Sequence, residues 1–204
     1  MAELLQAVLL VLTASASLVW IGLARRVHEE PLQPALFCVQ LAFALAAGAG
    51  ACAAARLAFG QDTLEAQRWL LQATLLLGFP LIGAVALALG RRWTWSRPNW
   101  GRIVIGLCAF FELARQLGWS EPYALGLGLS SALLVVYAAL LRWPARLQFM
   151  AGALGALMML ATLPLEHGPL PSYQLLCLGL ACPPLAWLIL KLPRNAEASG
   201  TAVT

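Results

Sequence analysis

The feature that most constrains this chain is a series of seven apolar segments, each roughly as long as a membrane-crossing helix. They cover residues 4–24, 34–57, 63–89, 102–119, 123–141, 147–164 and 172–191. In the hydrocarbon core of a bilayer every backbone N–H and C=O must be satisfied within the protein, and a helix does this within one segment. The sequence therefore predicts an all-α membrane protein, built as a bundle of seven transmembrane helices.

The overall composition excludes a water-soluble domain. Of the 204 residues, 61% are hydrophobic and only 11% are charged, whereas a soluble surface needs many more polar side chains. We expect residues 1–191 to form one transmembrane domain. Residues 192–204 are short and mostly polar, which predicts a disordered tail.

Positive charge is distributed unequally between the two ends of the predicted helices. Ten of the 13 cationic residues fall in the odd-numbered loops and the C-terminal tail: Arg25, Arg26, Arg91, Arg92, Arg97, Arg102, Arg142, Arg146, Lys191 and Arg194. Only Arg56 and Arg68 lie on the opposite side, and Arg115 lies within a segment. Because cytoplasmic loops are enriched in Lys and Arg, this predicts a cytoplasmic C-terminus and an outer N-terminus. The short loops and the arginine-rich side suit a multi-pass protein of a bacterial-type cytoplasmic (inner) membrane.

The loop between the third and fourth segments, residues 90–102, interleaves four arginines with three tryptophans. Such a pattern could contact nucleic acid. Between two membrane segments it is more typical of an interfacial anchor facing lipid headgroups. We therefore expect the lipid bilayer as a partner and no nucleic acid.

One polar stripe interrupts the fourth segment and is the candidate site. Glu112 follows Arg102 by ten residues, which is about 15 Å along a helix and predicts a depth near the middle of the membrane. Arg115 and Gln116 follow at i+3 and i+4, on the same helix face. A charge within a membrane segment is costly, so it indicates a functional or structural role.

Hydroxyl side chains on other segments fall at a similar predicted depth. They are Thr13 on the first segment, and Ser130 and Ser131 on the fifth. A bundle could therefore surround the Glu112 carboxylate with donors. We expect these residues, with Arg115 and Gln116, to form a substrate or ion path.

Three functions compete. In the first hypothesis Glu112 lies on a path for small-solute or proton-linked transport. In the second the protein is a non-catalytic membrane sensor or assembly subunit, and Glu112–Arg115 is a structural ion pair. In the third it is an integral-membrane enzyme that acts on lipid. Catalysis would require a second reactive group at matching depth, and the segments contain none, so the sequence favours a protein that is not an enzyme.

The sequence predicts neither a metal site nor another cofactor. His28 and His167 fall on opposite sides of the predicted membrane and cannot share a metal ion. The five cysteines lie within the apolar segments without CxxC spacing, which predicts free thiols. They are Cys38, Cys52, Cys108, Cys177 and Cys182.

Small residues mark the second segment as a packing helix. Ala44, Gly48 and Cys52 recur every four residues, as do Ala46, Gly50 and Ala54. Small side chains at this spacing allow neighbouring helices to approach closely. We expect this helix near the centre of the bundle.

The unequal distribution of positive charge gives a direct test of the topology. A reporter enzyme fused after Thr204 should be active when it requires the cytoplasm and inactive when it requires export. Activity only on the outer side would contradict both the number of spans and their orientation.

Overall fold

The computed structural model describes residues 1–141, 143, 145–163 and 173–194, and this part of the chain is all-helical, as predicted. Seven helices follow one another. They are α1 (Ala2–Val27), α2 (Gln33–Phe59), α3 (Leu64–Gly90), α4 (Arg97–Gln116), α5 (Ser120–Leu140), α6 (Arg146–Ala161) and α7 (Gln174–Arg194).

Five of these helices are long and apolar enough to cross a membrane, namely α1, α2, α3, α5 and α7. Helix α6 is apolar but shorter, and α4 carries too much charge to belong to this group. Helix α7 continues through the first three residues of the predicted tail, as far as Arg194. His167 and the remainder of that tail, residues 195–204, lie outside the described residues.

Six helices form a closed ring. Helix α1 packs against α2 and α7, α2 against α3, α3 against α5, α5 against α6, and α6 against α7. Helix α7 also contacts α3 across the ring. The core between them is filled by aliphatic and aromatic side chains, with Leu10, Phe43, Phe79, Met159 and Leu188 fully buried. In an 18-residue apolar stretch of each helix, the buried share is 67% for α3, 61% for α7 and 50% for α2. Helix α2 is therefore well packed but less buried than α3 and α7.

Helix α3 changes its winding next to a proline. Residues Thr74–Gly78 form one π turn, and Pro80 follows in the first turn of the α-helix that resumes at Phe79. A proline has no N–H to donate and crowds the carbonyl one turn earlier, so the preceding backbone must rearrange. The Thr74 hydroxyl donates to the Leu70 carbonyl at 2.7 Å in the same region.

Helix α4 lies outside the ring. It contacts α2, the π turn of α3 and α5, and each of these contacts is limited. Only Trp100, Phe111 and Ala114 of its 20 residues are buried. Helix α4 is therefore a peripheral helix with most of its surface facing away from the bundle.

The chain ends α4 earlier than the apolar pattern predicts. Gly118 adopts a left-handed conformation with φ of +70°, and the Trp119 N–H donates to the Ala114 carbonyl at 2.9 Å. This arrangement is a glycine-based C-cap that satisfies the last carbonyls of a helix. The predicted fourth segment, 102–119, thus becomes a helix that begins at Arg97 and ends at Gln116.

The tryptophans of the α3–α4 loop pack mainly on one another. The Trp93 and Trp95 rings stack with their centres 5.9 Å apart, and the centres of the Trp95 and Trp100 rings are 5.2 Å apart. Arg91 covers Trp93 at 5.7 Å and also hydrogen-bonds the Tyr137 hydroxyl of α5. Trp100 is buried, so this loop ties the start of α4 to the ring as well as presenting arginines outward.

All five cysteines are free thiols, as predicted. Cys38, Cys177 and Cys182 are buried, Cys52 is partly buried, and Cys108 on α4 is exposed. The four thiols on α2 and α7 therefore act as small packing residues in the ring, whereas Cys108 lies outside it.

Two glycines of α2 differ in how closely neighbouring helices approach them. A Cβ atom on Gly50 would lie 3.0 Å from Leu10 Cγ and 3.2 Å from the backbone nitrogen of Val11 on α1. A Cβ on Gly48 would meet only the end of the Leu70 side chain, at 3.3 Å. Backbone cannot move aside as a side-chain end can, so Gly50 is the more constrained position.

We expect Gly50→Leu to lower the free energy of unfolding by more than about 3 kcal/mol. Overpacking a well-packed core typically costs about 1–3 kcal/mol, and at Gly50 the backbone of α1 must also move. Gly48→Leu should cost less. Thermal unfolding in detergent measures both. The matched control is Gly106→Leu on α4, where an added Cβ meets nothing within 4 Å. Equal loss for Gly50→Leu and Gly106→Leu would contradict close packing between α1 and α2.

Candidate functional site

The polar stripe of α4 is joined by three hydrogen bonds. Arg115 Nε donates to Glu112 Oε2 at 3.0 Å, and Arg115 Nη2 donates to Glu112 Oε1 at 2.6 Å. Gln116 Nε2 donates to the same Oε1 at 2.9 Å. The guanidinium and the carboxylate thus form a bidentate pair, the strongest geometry available to these two groups. We call these three side chains the α4 triad.

The α4 triad faces away from the ring. The side chains of Glu112 and Arg115 are each 42% exposed. Glu112 and Gln116 share a face with Ile105 and Ala109, because positions seven, four and three residues apart lie on one side of a helix. Ile105 is 71% exposed and Ala109 is also exposed, whereas the buried Trp100, Phe111 and Ala114 define the opposite side.

Two aromatic rings fix the position of the triad along the bundle. The Arg115 guanidinium lies 4.5 Å from the centre of the Trp69 ring on α3, a cation–π distance. Trp69 in turn meets Phe111 of α4 edge-on at 5.9 Å. Trp69 follows Leu64, the first residue of α3, by five residues, or about 8 Å. The triad is therefore level with the second turn of α3.

This position is closer to the end of its helix than the predicted segment, 102–119, places Glu112. In the predicted segment seven residues follow Glu112. Because Gly118 caps the helix, Gln116 is its last residue and the triad occupies the final turn. Arg115 at this end interacts favourably with the negative end of the helix dipole.

The predicted hydroxyl partners of Glu112 are hydrogen-bonded within their own helices. Thr13 Oγ1 donates to the Leu9 carbonyl at 2.9 Å. The hydroxyls of Ser130 and Ser131 both donate to the Leu127 carbonyl. Such bonds back to the preceding turn are the usual state of Ser and Thr in apolar helices. The structure thus brings Arg115 and Gln116 to Glu112, and it does not join Thr13, Ser130 or Ser131 to it by a hydrogen bond.

Three cavities between the described residues lie elsewhere. One of about 660 Å³ lies between α1 and α2, and one of about 460 Å³ lies between α2 and α4. A third, about 350 Å³, is next to the N-terminus. Neither Glu112 nor Arg115 lines any of these three. Among the described residues no group of three His, Cys, Asp or Glu side chains could hold a metal ion.

Trp69 and Phe111 belong to the site but do not stand out in the sequence. Trp69 lies near the predicted outer end of its segment, where tryptophan is common. Nothing in the spacing along the chain connects it with Arg115, because the two residues are on different helices. Only the packing of α4 on α3 brings them together.

Comparisons with protein-family models, with curated proteins and with solved structures found no match to this chain. One fold can host many functions, so the function of this chain must be inferred from its site, the last turns of α4 and their neighbours.

Proposed function

We propose that this chain is a non-catalytic assembly subunit of the inner membrane, and that α4 is the helix that binds its partner. In this proposal the seven helices span the bilayer with the N-terminus outside and the C-terminus in the cytoplasm. The cationic loops support this orientation. The observation that carries the assembly role is the outward direction of the α4 triad on the most peripheral helix.

Charged side chains within membranes almost always face protein or a water-filled cavity. The side chains of Glu112 and Arg115 are instead each 42% exposed, and of the two only Arg115 is described in contact with a ring helix, through the Trp69 ring of α3. Because the triad occupies the last turn of α4, it borders the interfacial region, and the lipid tails on its inner side offer these groups no hydrogen bonds. A second protein that covers this face would give the triad the polar environment that its own bundle does not provide.

The chemistry of the triad limits the kind of partner. The charges of Glu112 and Arg115 neutralise each other, so a further charge on the partner would remain uncompensated. A guanidinium has five N–H donors, and two of those on Arg115 are used in its bonds to Glu112. The fitting partner is a membrane helix that presents a neutral hydrogen-bonding side chain, such as Ser, Thr, Asn or Gln, at the level of Trp69.

The competing hypothesis places Glu112 on a path for a proton or small solute. Such a path requires water to reach Glu112 through the protein. The three described cavities are lined by other residues, and Glu112 is bonded to its own helix neighbours. These observations favour the assembly role over transport.

Photo-crosslinking in native membranes tests the assembly role. A photoreactive side chain at Ala109, on the outward face of α4, should give a discrete adduct with another protein. The matched controls are Leu12 on α1 and Leu133 on α5, which are 63% and 69% exposed and should give lipid adducts only. Protein adducts no more frequent at Ala109 than at these controls would overturn the proposal.

Variants of the pair separate binding from folding. Glu112→Gln and Arg115→Gln should each leave the stability of the detergent-purified protein almost unchanged, because exposed ion pairs contribute little. Each should nevertheless abolish the Ala109 adduct. Thermal unfolding and crosslinking measure the two effects. An adduct that persists in Glu112→Gln, together with proton uptake into proteoliposomes that is lost in this variant, would favour transport instead.

A further inference from the structure

We propose that the cleft between α2 and α4 binds one anionic phospholipid, with its phosphate on Arg25 and Arg97 and an acyl chain between the helices. This site is at the opposite end of α4 from the triad. It depends on the membrane placement proposed above and is independent of the partner role of α4.

The cleft exists because α4 lies beside the ring without packing tightly on α2. Its volume is about 460 Å³, within the range of small-molecule sites. The apolar lining includes Cys38 and Val104 inside, with Phe37 and Ile105, which are 51% and 71% exposed, at its outer edge. Trp100 forms part of the cleft near the start of α4 and is itself buried against the ring.

The mouth of the cleft is cationic. Arg25 lies in the last turn of α1, and Arg97 is the first residue of α4. Gln33, the first residue of α2, lies with them. Three helix ends thus converge on the predicted cytoplasmic side, where the headgroups of the inner leaflet would lie.

Arg25 is held in place but retains donors for a ligand. Its Nη1 donates to Gln40 Oε1 at 3.3 Å, and its guanidinium lies 5.1 Å from the centre of the Phe37 ring. Among the described residues, the bond to Gln40 uses one of the five N–H groups that the Arg25 guanidinium can donate. The guanidinium of Arg25 is thus held against an aromatic ring, and Arg25 lines both this cleft and the neighbouring cavity.

Arg97 has a carboxylate neighbour, which the charge balance must include. Its Nη2 lies 2.7 Å from Glu30 Oε1, and both side chains are largely exposed. The larger cavity between α1 and α2 also opens at Arg25 and Gln33, and it adds the exposed Arg26. Arg25, Arg26 and Arg97 against Glu30 and the adjacent, exposed Glu29 leave a net charge of +1 around the mouth.

The combination of arginines at the mouth of the cleft and apolar side chains along it identifies the class of ligand. A free anion would need the arginines but not the apolar walls, and an uncharged lipid would need the walls but not the arginines. A phospholipid with a net negative headgroup uses both. Basic pockets between membrane helices on the cytoplasmic side are recognised by this combination.

Native mass spectrometry of the detergent-purified protein tests the site, with phosphatidylglycerol, phosphatidylcholine and inorganic phosphate as probes. The wild-type protein should retain one phosphatidylglycerol in preference to phosphatidylcholine. Arg25→Gln and Arg97→Gln should each weaken this binding about fivefold, the effect of one basic residue near a membrane surface. Arg25→Lys, which keeps the charge, should retain most of it.

The matched control is Arg102→Gln, an exposed arginine of α4 that does not line the cleft. It should leave phosphatidylglycerol binding unchanged. Equal effects of Arg102→Gln and Arg25→Gln would overturn the site, as would equal retention of phosphatidylcholine. Competition by millimolar inorganic phosphate would show a free-anion site in place of a lipid site.

A second variant tests the acyl-chain position without removing charge. Gly101 lines the cleft, and an added Cβ there meets nothing within 4 Å. Gly101→Leu should fill the space and lower phosphatidylglycerol retention, whereas Gly106→Leu on the same helix should not. Unchanged retention in Gly101→Leu would overturn the acyl-chain position. The Ala109 crosslink should be the same in all these variants, so failure of this site and failure of the assembly role are distinguishable.

Discussion

Close contact between small side chains holds six of the seven helices together, and the rest of the structure depends on it. Membrane helices gain little from apolar burial alone, because lipid is as apolar as the protein core. They associate where small residues let backbones approach, as at Gly50 of α2 against Val11 of α1. Helix α4 has glycines at 101 and 106, but no neighbouring helix approaches either of them. It therefore remains outside the ring, attached by Trp100, Phe111 and Ala114.

The peripheral position of α4 accounts for both proposed sites. At its first turn the helix stands off from α2 and leaves a cleft with arginines at the mouth. At its last turn it presents an ion pair whose two side chains are each 42% exposed, with Trp69 of α3 against the Arg115 guanidinium. A helix packed tightly on both flanks would have closed the cleft and turned Glu112 inward. The limited packing of α4 on the ring thus leaves a cleft at one end of the helix and a partly exposed ion pair at the other.

The helical architecture is largely predictable from the sequence, and the direction of the polar stripe is not. Long apolar runs identify the helices because an apolar segment of that length has few alternatives. In a soluble protein the polar face of a helix would mark the outside. In a membrane protein the lipid-facing side is as apolar as the packed side, so the pattern of α4 does not show which way Glu112 points. The early end of α4 also depends on the left-handed backbone conformation of Gly118. The apolar run continues through Trp119, so it gives no sign that the helix ends before that residue.

The pairing of Arg115 with Glu112 follows from their spacing of three residues, whereas the contact of Arg115 with Trp69 requires the fold. That contact constrains how the site can work. A guanidinium held at 4.5 Å from a tryptophan ring and bonded twice to a carboxylate is already ordered before any ligand arrives. A carboxylate that carried protons across a membrane would have to release this arginine in each cycle. A surface that recognises another helix benefits from the same rigidity, because side chains fixed in advance lose little entropy on binding. The order within the triad is therefore a second reason, independent of its outward direction, to favour recognition over transport.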